Sequence, residues 1–174
     1  MASLIIVSGC PGSGKTALAA SLAHSHPQGL HLTSDTFYRF PVRLIDPTET
    51  ESQQQNTTIM RALARATGAF LEGGYTVVLE GVIGPWFLPV VRAELPPVRD
   101  TSYIVLRLPE KEALRRVRQR QGHGASHRVR AMVPAFENLG SLEAHALSTL
   151  DRNAASVFEA VQEGLREGRF RLSG

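Results

Sequence analysis

Short apolar runs alternate along this chain with longer stretches in which apolar residues recur every three or four positions. Residues 3–8, built on Leu4-Ile5-Ile6-Val7, read as a buried strand, and the Ala- and Leu-rich residues 16–24 read as a helix behind it. His26-Pro27-Gln28-Gly29 breaks that helix. Residues 30–33 form a second, short strand that ends at Ser34-Asp35. Residues 52–71 predict a long helix with Ile59, Leu63, Ala66 and Phe70 on its apolar face, stopped by Gly73-Gly74. Strands are expected at 75–79 and 102–108. A helix then opens with Pro109 and two acids in its first turn. Residues 145–150 are the expected fifth strand, followed by a last helix with Val157, Phe158, Val161 and Leu165 inward and an N-cap from residues 151–153. Strands alternating with helices predict an α/β domain over residues 1–174, a mostly parallel sheet covered on both faces, with ligands beyond the carboxyl ends of its strands.

Composition narrows the class. Hydrophobic residues at 43% and charged residues at 20% are those of a folded domain. A net charge of +3 is too small to argue for nucleic acid. One cysteine excludes an internal disulfide framework and fits a reducing compartment, and no apolar run has the length of a membrane span, so a cytoplasmic protein without a membrane partner is expected. The 19 basic residues include only two lysines, Lys15 and Lys111. Arginine serves for ordinary surface charge, so a lysine inside a glycine loop stands out.

That loop is Gly9-Cys10-Pro11-Gly12-Ser13-Gly14-Lys15-Thr16, which fits G-x-x-x-x-G-K-[ST] between a strand and a helix. Glycines let successive N–H groups turn inward onto phosphates, and the helix start adds its positive end. The motif predicts ATP and magnesium as ligands, with Lys15 on the β- and γ-phosphates and the Thr16 hydroxyl on the metal. Lys15 is expected to face solvent when no nucleotide is bound. Cys10, at a variable position, reads as a small residue that fits.

Two acids follow later strands. Asp35 would accept the proton of an acceptor hydroxyl as it attacks the γ-phosphate, or else it, or Ser34, caps a helix. Glu80 ends the third strand, where an acid organises magnesium; it would hold the metal or contact the acceptor. Phe37, Tyr38 and Trp86 are candidate pocket walls or core. Arg115, Arg116, Arg118 and Arg120 crowd a helix end, and residues 121–128, with Gly122 and Gly124, read as a mobile loop. A lid over about 120–130 is expected, bringing Arg116, Arg120 or Arg128 onto the phosphates, with Arg120 assisting catalysis.

These features together resemble the small P-loop kinases related to nucleoside-monophosphate, shikimate and gluconate kinases, and within them the chloramphenicol-phosphotransferase-like proteins. The resemblance rests on the loop, Ser34-Asp35, Leu79-Glu80-Gly81, Pro85-Trp86, Tyr103-Ile104-Val105-Leu106-Arg107, the Arg116/Arg120 helix and Phe136 with Leu139-Gly140. It implies a P-loop NTPase fold of the nucleoside-monophosphate-kinase type, a five-stranded parallel sheet, a lid, and transfer of phosphate to a small-molecule hydroxyl with Asp35 as base. The acceptor and the oligomeric state are left open. A guanine-specific switch protein would carry Asn-Lys-x-Asp, which is absent, and a mechanical ATPase would carry paired acids on the third strand. A polynucleotide 5′-hydroxyl kinase, or a nucleotide-binding ATPase or regulator, is the alternative.

Overall fold

The computed structural model describes residues 3–97, 100–121 and 126–172. Five strands form one sheet: β1 (Leu4–Gly9), β2 (Gly29–Thr33), β3 (Thr76–Glu80), β4 (Thr101–Arg107) and β5 (Ala146–Ser148). Their order is β2-β3-β1-β4-β5, and every neighbouring pair is parallel. β1 sits at the centre and is buried along its whole length, as its uninterrupted apolar run requires. The register sets Glu80 beside Val7 on one side and Thr33 on the other, so the ends of β1, β2 and β3 share one rim.

Helices cover both faces. On one side, α1 (Lys15–His24) and α7 (Ala154–Arg166) pack Leu18, Leu22, Val157 and Val161 against Ile5, Val7 and Ile104. The other side holds α3 (Gln53–Glu72), α4 (Leu88–Ala93), α5 (Glu110–Gln121) and α6 (Ser126–Met132), joined through Met60, Leu63, Val91, Val117 and Val129 to Leu4, Ile6 and Val105. Burying Met60 and Leu63 completely contributes about 1.5–3 kcal/mol each and fixes α3 against the sheet. A short α2 (Ser34–Tyr38) follows β2 directly.

Three expectations are corrected. The buried face of α3 runs through Asn56, Ile59, Met60, Leu63, Ala64, Thr67 and Leu71, so Ala66 is only half-buried and Phe70 is exposed. Phe70 instead meets Tyr75 edge-on at 5.9 Å. At about 100° per residue, Ile59, Leu63, Ala66 and Phe70 hold one narrow stripe, but that stripe runs along an edge of the buried face, whose centre passes through Met60 and Thr67. The fifth strand is only Ala146–Ser148, because His145 closes a 3₁₀ turn, Gly140–His145, ahead of it. Ser126, His127 and Arg128 belong to α6 rather than to a loop. Gln121, at the loop's expected start, belongs to α5, and residues 122–125 lie outside the described residues. The N-cap of α7 is Asn153, whose side chain accepts from the Ser156 N–H at 2.9 Å.

Candidate active site

The phosphate loop bridges β1 and α1. Gly9 and Gly12 have φ of 138° and 86°, and a Cβ on Gly9 would lie 2.2 Å from the Leu106 carbonyl oxygen. A Cβ on Gly12 would press on α5 at Ala113 and Val117. Backbone so curled, against neighbours so close, admits only glycine. Gly14, also left-handed, starts α1 without a side-chain cap. The first amides of α1 therefore lack the capping oxygen that an ordinary N-terminus has, as an anion-binding terminus requires. Ser13 Oγ is buried with no hydrogen-bond partner among the described residues.

Lys15 does not face solvent, contrary to expectation. It is 8% exposed, and its Nζ donates to the Cys10 carbonyl at 3.0 Å. Burial pushes its pKa below 10.5, against the attraction of Glu80, Cys10 and Asp35. The loop's own curl folds the ammonium across its mouth. Cys10 is 2% exposed and packs in the core, where burial raises its thiol pKa.

Glu80 is 4% exposed. Its Oε1 accepts from Thr16 Oγ1 at 3.1 Å, and its Oε2 lies 3.3 Å from His31 Nε2. Burial alone would raise its pKa, but the His31 contact, the Lys15 charge and the Thr16 and Thr33 hydroxyls together bring it below 4.5. Gly81 permits the next step: a Cβ there would sit 2.1 Å from Ser34 Oγ. The close passage of β3 past α2 thus brings Glu80 and Asp35 to one rim. Thr33, not Ser34 or Asp35, caps α2, its Oγ1 accepting from the Asp35 N–H at 3.3 Å. The Asp35 carboxylate is left to the cavity.

That cavity, about 410 Å³, opens on the rim. It brings together Pro11, Gly12, Lys15 and Thr16 of the loop, the acids Asp35 and Glu80, Tyr38, Trp86, and the arginines Arg120 and Arg128. Burial and the Asp35 charge push the Tyr38 phenol up to about 12, so it stays neutral. Trp86 is 49% exposed, with its ring 5.7 Å from that of Phe136. Arg128 is tied to Asp46: its Nε and Nη2 donate to Asp46 Oδ2 at 3.2 and 3.1 Å, and His127 Nε2 lies 3.0 Å from the same oxygen.

Two candidates stand elsewhere. Phe37 packs on the core and edge-on to Phe40 at 5.3 Å, not on the cavity wall. Arg116 donates to Glu112 at 2.8 Å and to the Thr149 carbonyl at 3.2 Å, tying α5 to the chain after β5. Sequence reasoning missed Leu44, Thr48, Asn56, Val82, Phe87 and Met132, all on the wall. Asn56 carried a signal: a polar residue on the helical face of Ile59, Met60 and Leu63.

A parallel sheet ordered β2-β3-β1-β4-β5, with a phosphate loop after β1, is the P-loop fold of the small kinases. The AAA domain family matches residues 5–135, and the chain belongs to it. No match was found among curated proteins. Among solved structures, an unliganded sugar kinase from Janibacter sp. HTCC2649 is similar at 21% identity and a TM-score of 0.72, covering 95% of each chain. A gluconokinase from Sinorhizobium meliloti 1021 aligns at 18% identity and 0.65, over 95% of this chain and 92% of its own. The Mycobacterium tuberculosis APS kinase CysC, solved with AMPPNP and APS, aligns at 15% identity and 0.67, over 95% and 98%. Among the described residues, no helix is long and apolar enough to cross a membrane.

Proposed function

We propose that the chain is an ATP-dependent phosphotransferase that moves the γ-phosphate to a hydroxyl of a small molecule, of the antibiotic or sugar type. The observation that carries this reading is the cavity itself, in which the phosphate loop, Asp35 and Glu80 line one space. The loop amides and Lys15 would hold the phosphates, Lys15 exchanging the Cys10 carbonyl for a phosphate oxygen. Thr16 and Glu80 present hard oxygen donors, which fit magnesium. Bound there, magnesium would neutralise charge on the phosphate oxygens. Asp35 would orient the acceptor hydroxyl. As the acceptor oxygen bonds to the γ-phosphorus, the bond to the β–γ bridging oxygen breaks, ADP keeps that electron pair, and the hydroxyl proton passes to Asp35. Arg120 stands on the wall to offset the developing charge.

Asp35→Asn tests the reading. ATP affinity is expected to stay nearly unchanged while phosphoryl transfer falls by roughly 10²–10⁴-fold. Because Thr33 supplies the cap of α2, the melting temperature should hold. A full transfer rate in this variant would remove Asp35 from the chemistry.

A further inference from the structure

The edge strand β2 carries different residues on its two faces. Leu30 and Leu32 pack on the core that holds Leu79 and Met60. Side chains alternate along a strand, so His31 and Thr33 lie on the other face, the one that α1 covers. The residues of β3 beside them are Val78, which joins Leu18 and Leu22 of α1 in the core, and Glu80. Apolar side chains would suit both β2 positions there. Instead both are polar, and both reach Glu80.

His31 Nε2 lies 3.3 Å from Glu80 Oε2, and its side chain is 24% exposed. Oε1 of the same carboxylate accepts from Thr16 Oγ1 at 3.1 Å. A carboxylate held below its usual range can only accept, so His31 Nε2 carries the hydrogen. Burial works against the charge on Glu80, and the His31 contact is the largest of the influences that preserve it. The two oxygens are thus divided, one turned to β2 and the other to the phosphate loop. Thr33 extends the arrangement: its hydroxyl hydrogen goes to Glu80, and its Oγ1 accepts from the Asp35 N–H at 3.3 Å. Glutamate has one more rotatable bond than aspartate, so more must be ordered to keep its carboxylate at one place on the rim.

We propose that His31 is a positioning residue: by holding Oε2 it fixes the Glu80 carboxylate beside the Thr16 hydroxyl, where the pair would hold magnesium. The part played by the metal rests on the kinase reading; the hold on the carboxylate rests on the contacts of β2.

ADP binding, followed by calorimetry against magnesium concentration, reads this without an acceptor or turnover. His31→Phe keeps a ring on the strand and removes the donor, and His31→Gln returns a neutral N–H donor. His31→Phe is expected to need roughly 10–100-fold more magnesium to reach half of the metal's effect on ADP affinity, the scale of losing a group that orients a metal ligand. ADP affinity in EDTA should not change, and His31→Gln should recover most of the loss. A histidine that only supports the fold would lower the melting temperature and leave the magnesium midpoint in place. An unchanged midpoint in His31→Phe overturns the inference, as does a His31→Gln variant no better than His31→Phe. Should His31→Phe not fold, His31→Val, suited to a strand, takes its place with the same expectations. A shifted midpoint in a protein that transfers no phosphate upholds the role of His31 and removes the kinase reading. ADP binding indifferent to magnesium in the parent protein overturns the inference together with the magnesium role of Glu80.

Discussion

The two walls of the cavity are made in different ways. The phosphate wall is a single run of eight residues, shaped by left-handed glycines and closed by a buried lysine. The opposite wall is gathered from α2, residues 44–48, α3, the chain after β3, and α6 with the turn beyond it. Parts of it are open to solvent: Phe40, Val42, Leu44 and Ile45 are exposed, and Ile45 and Pro47 are fastened by hydrogen bonds exchanged with Gln55 and accepted from Asn56 and Ser52. A phosphate wall encoded in one short stretch can stay fixed while a wall drawn from five segments is redrawn one segment at a time.

The sharpest way to break the phosphate wall is Lys15→Met. Transfer is expected to fall by at least about 10²–10³-fold, the scale of losing one buried donor to a developing anion. The fold should survive. Folding lowers the Lys15 pKa below 10.5, so the unfolded chain holds the proton more tightly, and stability rises with pH between the folded value and 10.5. With the charge removed, the nucleotide-free melting temperature should hold or rise; a marked fall would mean the lysine stabilises the empty loop.

Glu80→Gln probes the join between the walls. Magnesium is expected to be needed at roughly 10–100-fold higher concentration, measured as the midpoint of activity against metal. Its acid signature has a definite sign. Folding depresses the Glu80 pKa, so its stabilisation is present above 4.5 and lost as pH falls through the folded value. The variant should therefore show a flatter decline of melting temperature below pH 4.5 than the parent.

Asp46→Asn bears on the looser wall and should do least. The pair with Arg128 is partly exposed, and pairs of that kind contribute about 0.2–1 kcal/mol. A drop in melting temperature of no more than about 4 °C is expected, with ATP affinity unchanged. A larger loss would show that this wall is as firmly built as the other.

The sequence made the phosphate wall legible because its determinants are contiguous: the glycines, the lysine and the flanking strand and helix all fall within residues 4–24. Asp35 and Glu80 were legible by position, each at a strand's carboxyl end, where a parallel sheet collects its ligands. What the sequence hid lies in contacts that no motif names. The loop motif assigns Lys15 to phosphates but does not say that its ammonium donates to the Cys10 carbonyl five residues earlier. Nothing near Arg128 points to Asp46, 82 positions earlier. Phe70 was misplaced, and Phe37 was left open between wall and core, for a related reason: both are large and apolar, and which face such a residue shows is settled by neighbours that periodicity does not name.

The Asp46–Arg128 pair also sets a rule of reciprocity. It joins residues 44–48 on the cavity wall to α6, and under the kinase reading these would serve the acceptor and, through Arg128, the phosphates. A nucleotide that draws Arg128 away from Asp46 alters how tightly residues 44–48 are held, and an acceptor that displaces Asp46 alters what Arg128 can offer the nucleotide. Linkage requires each ligand to change the other's affinity by the same factor. A pair worth at most about 1 kcal/mol limits that factor to roughly fivefold through this contact. Any stronger synergy between the two ligands must travel by another route, and under the kinase reading the γ-phosphate that the nucleotide would present to the acceptor is the shortest one.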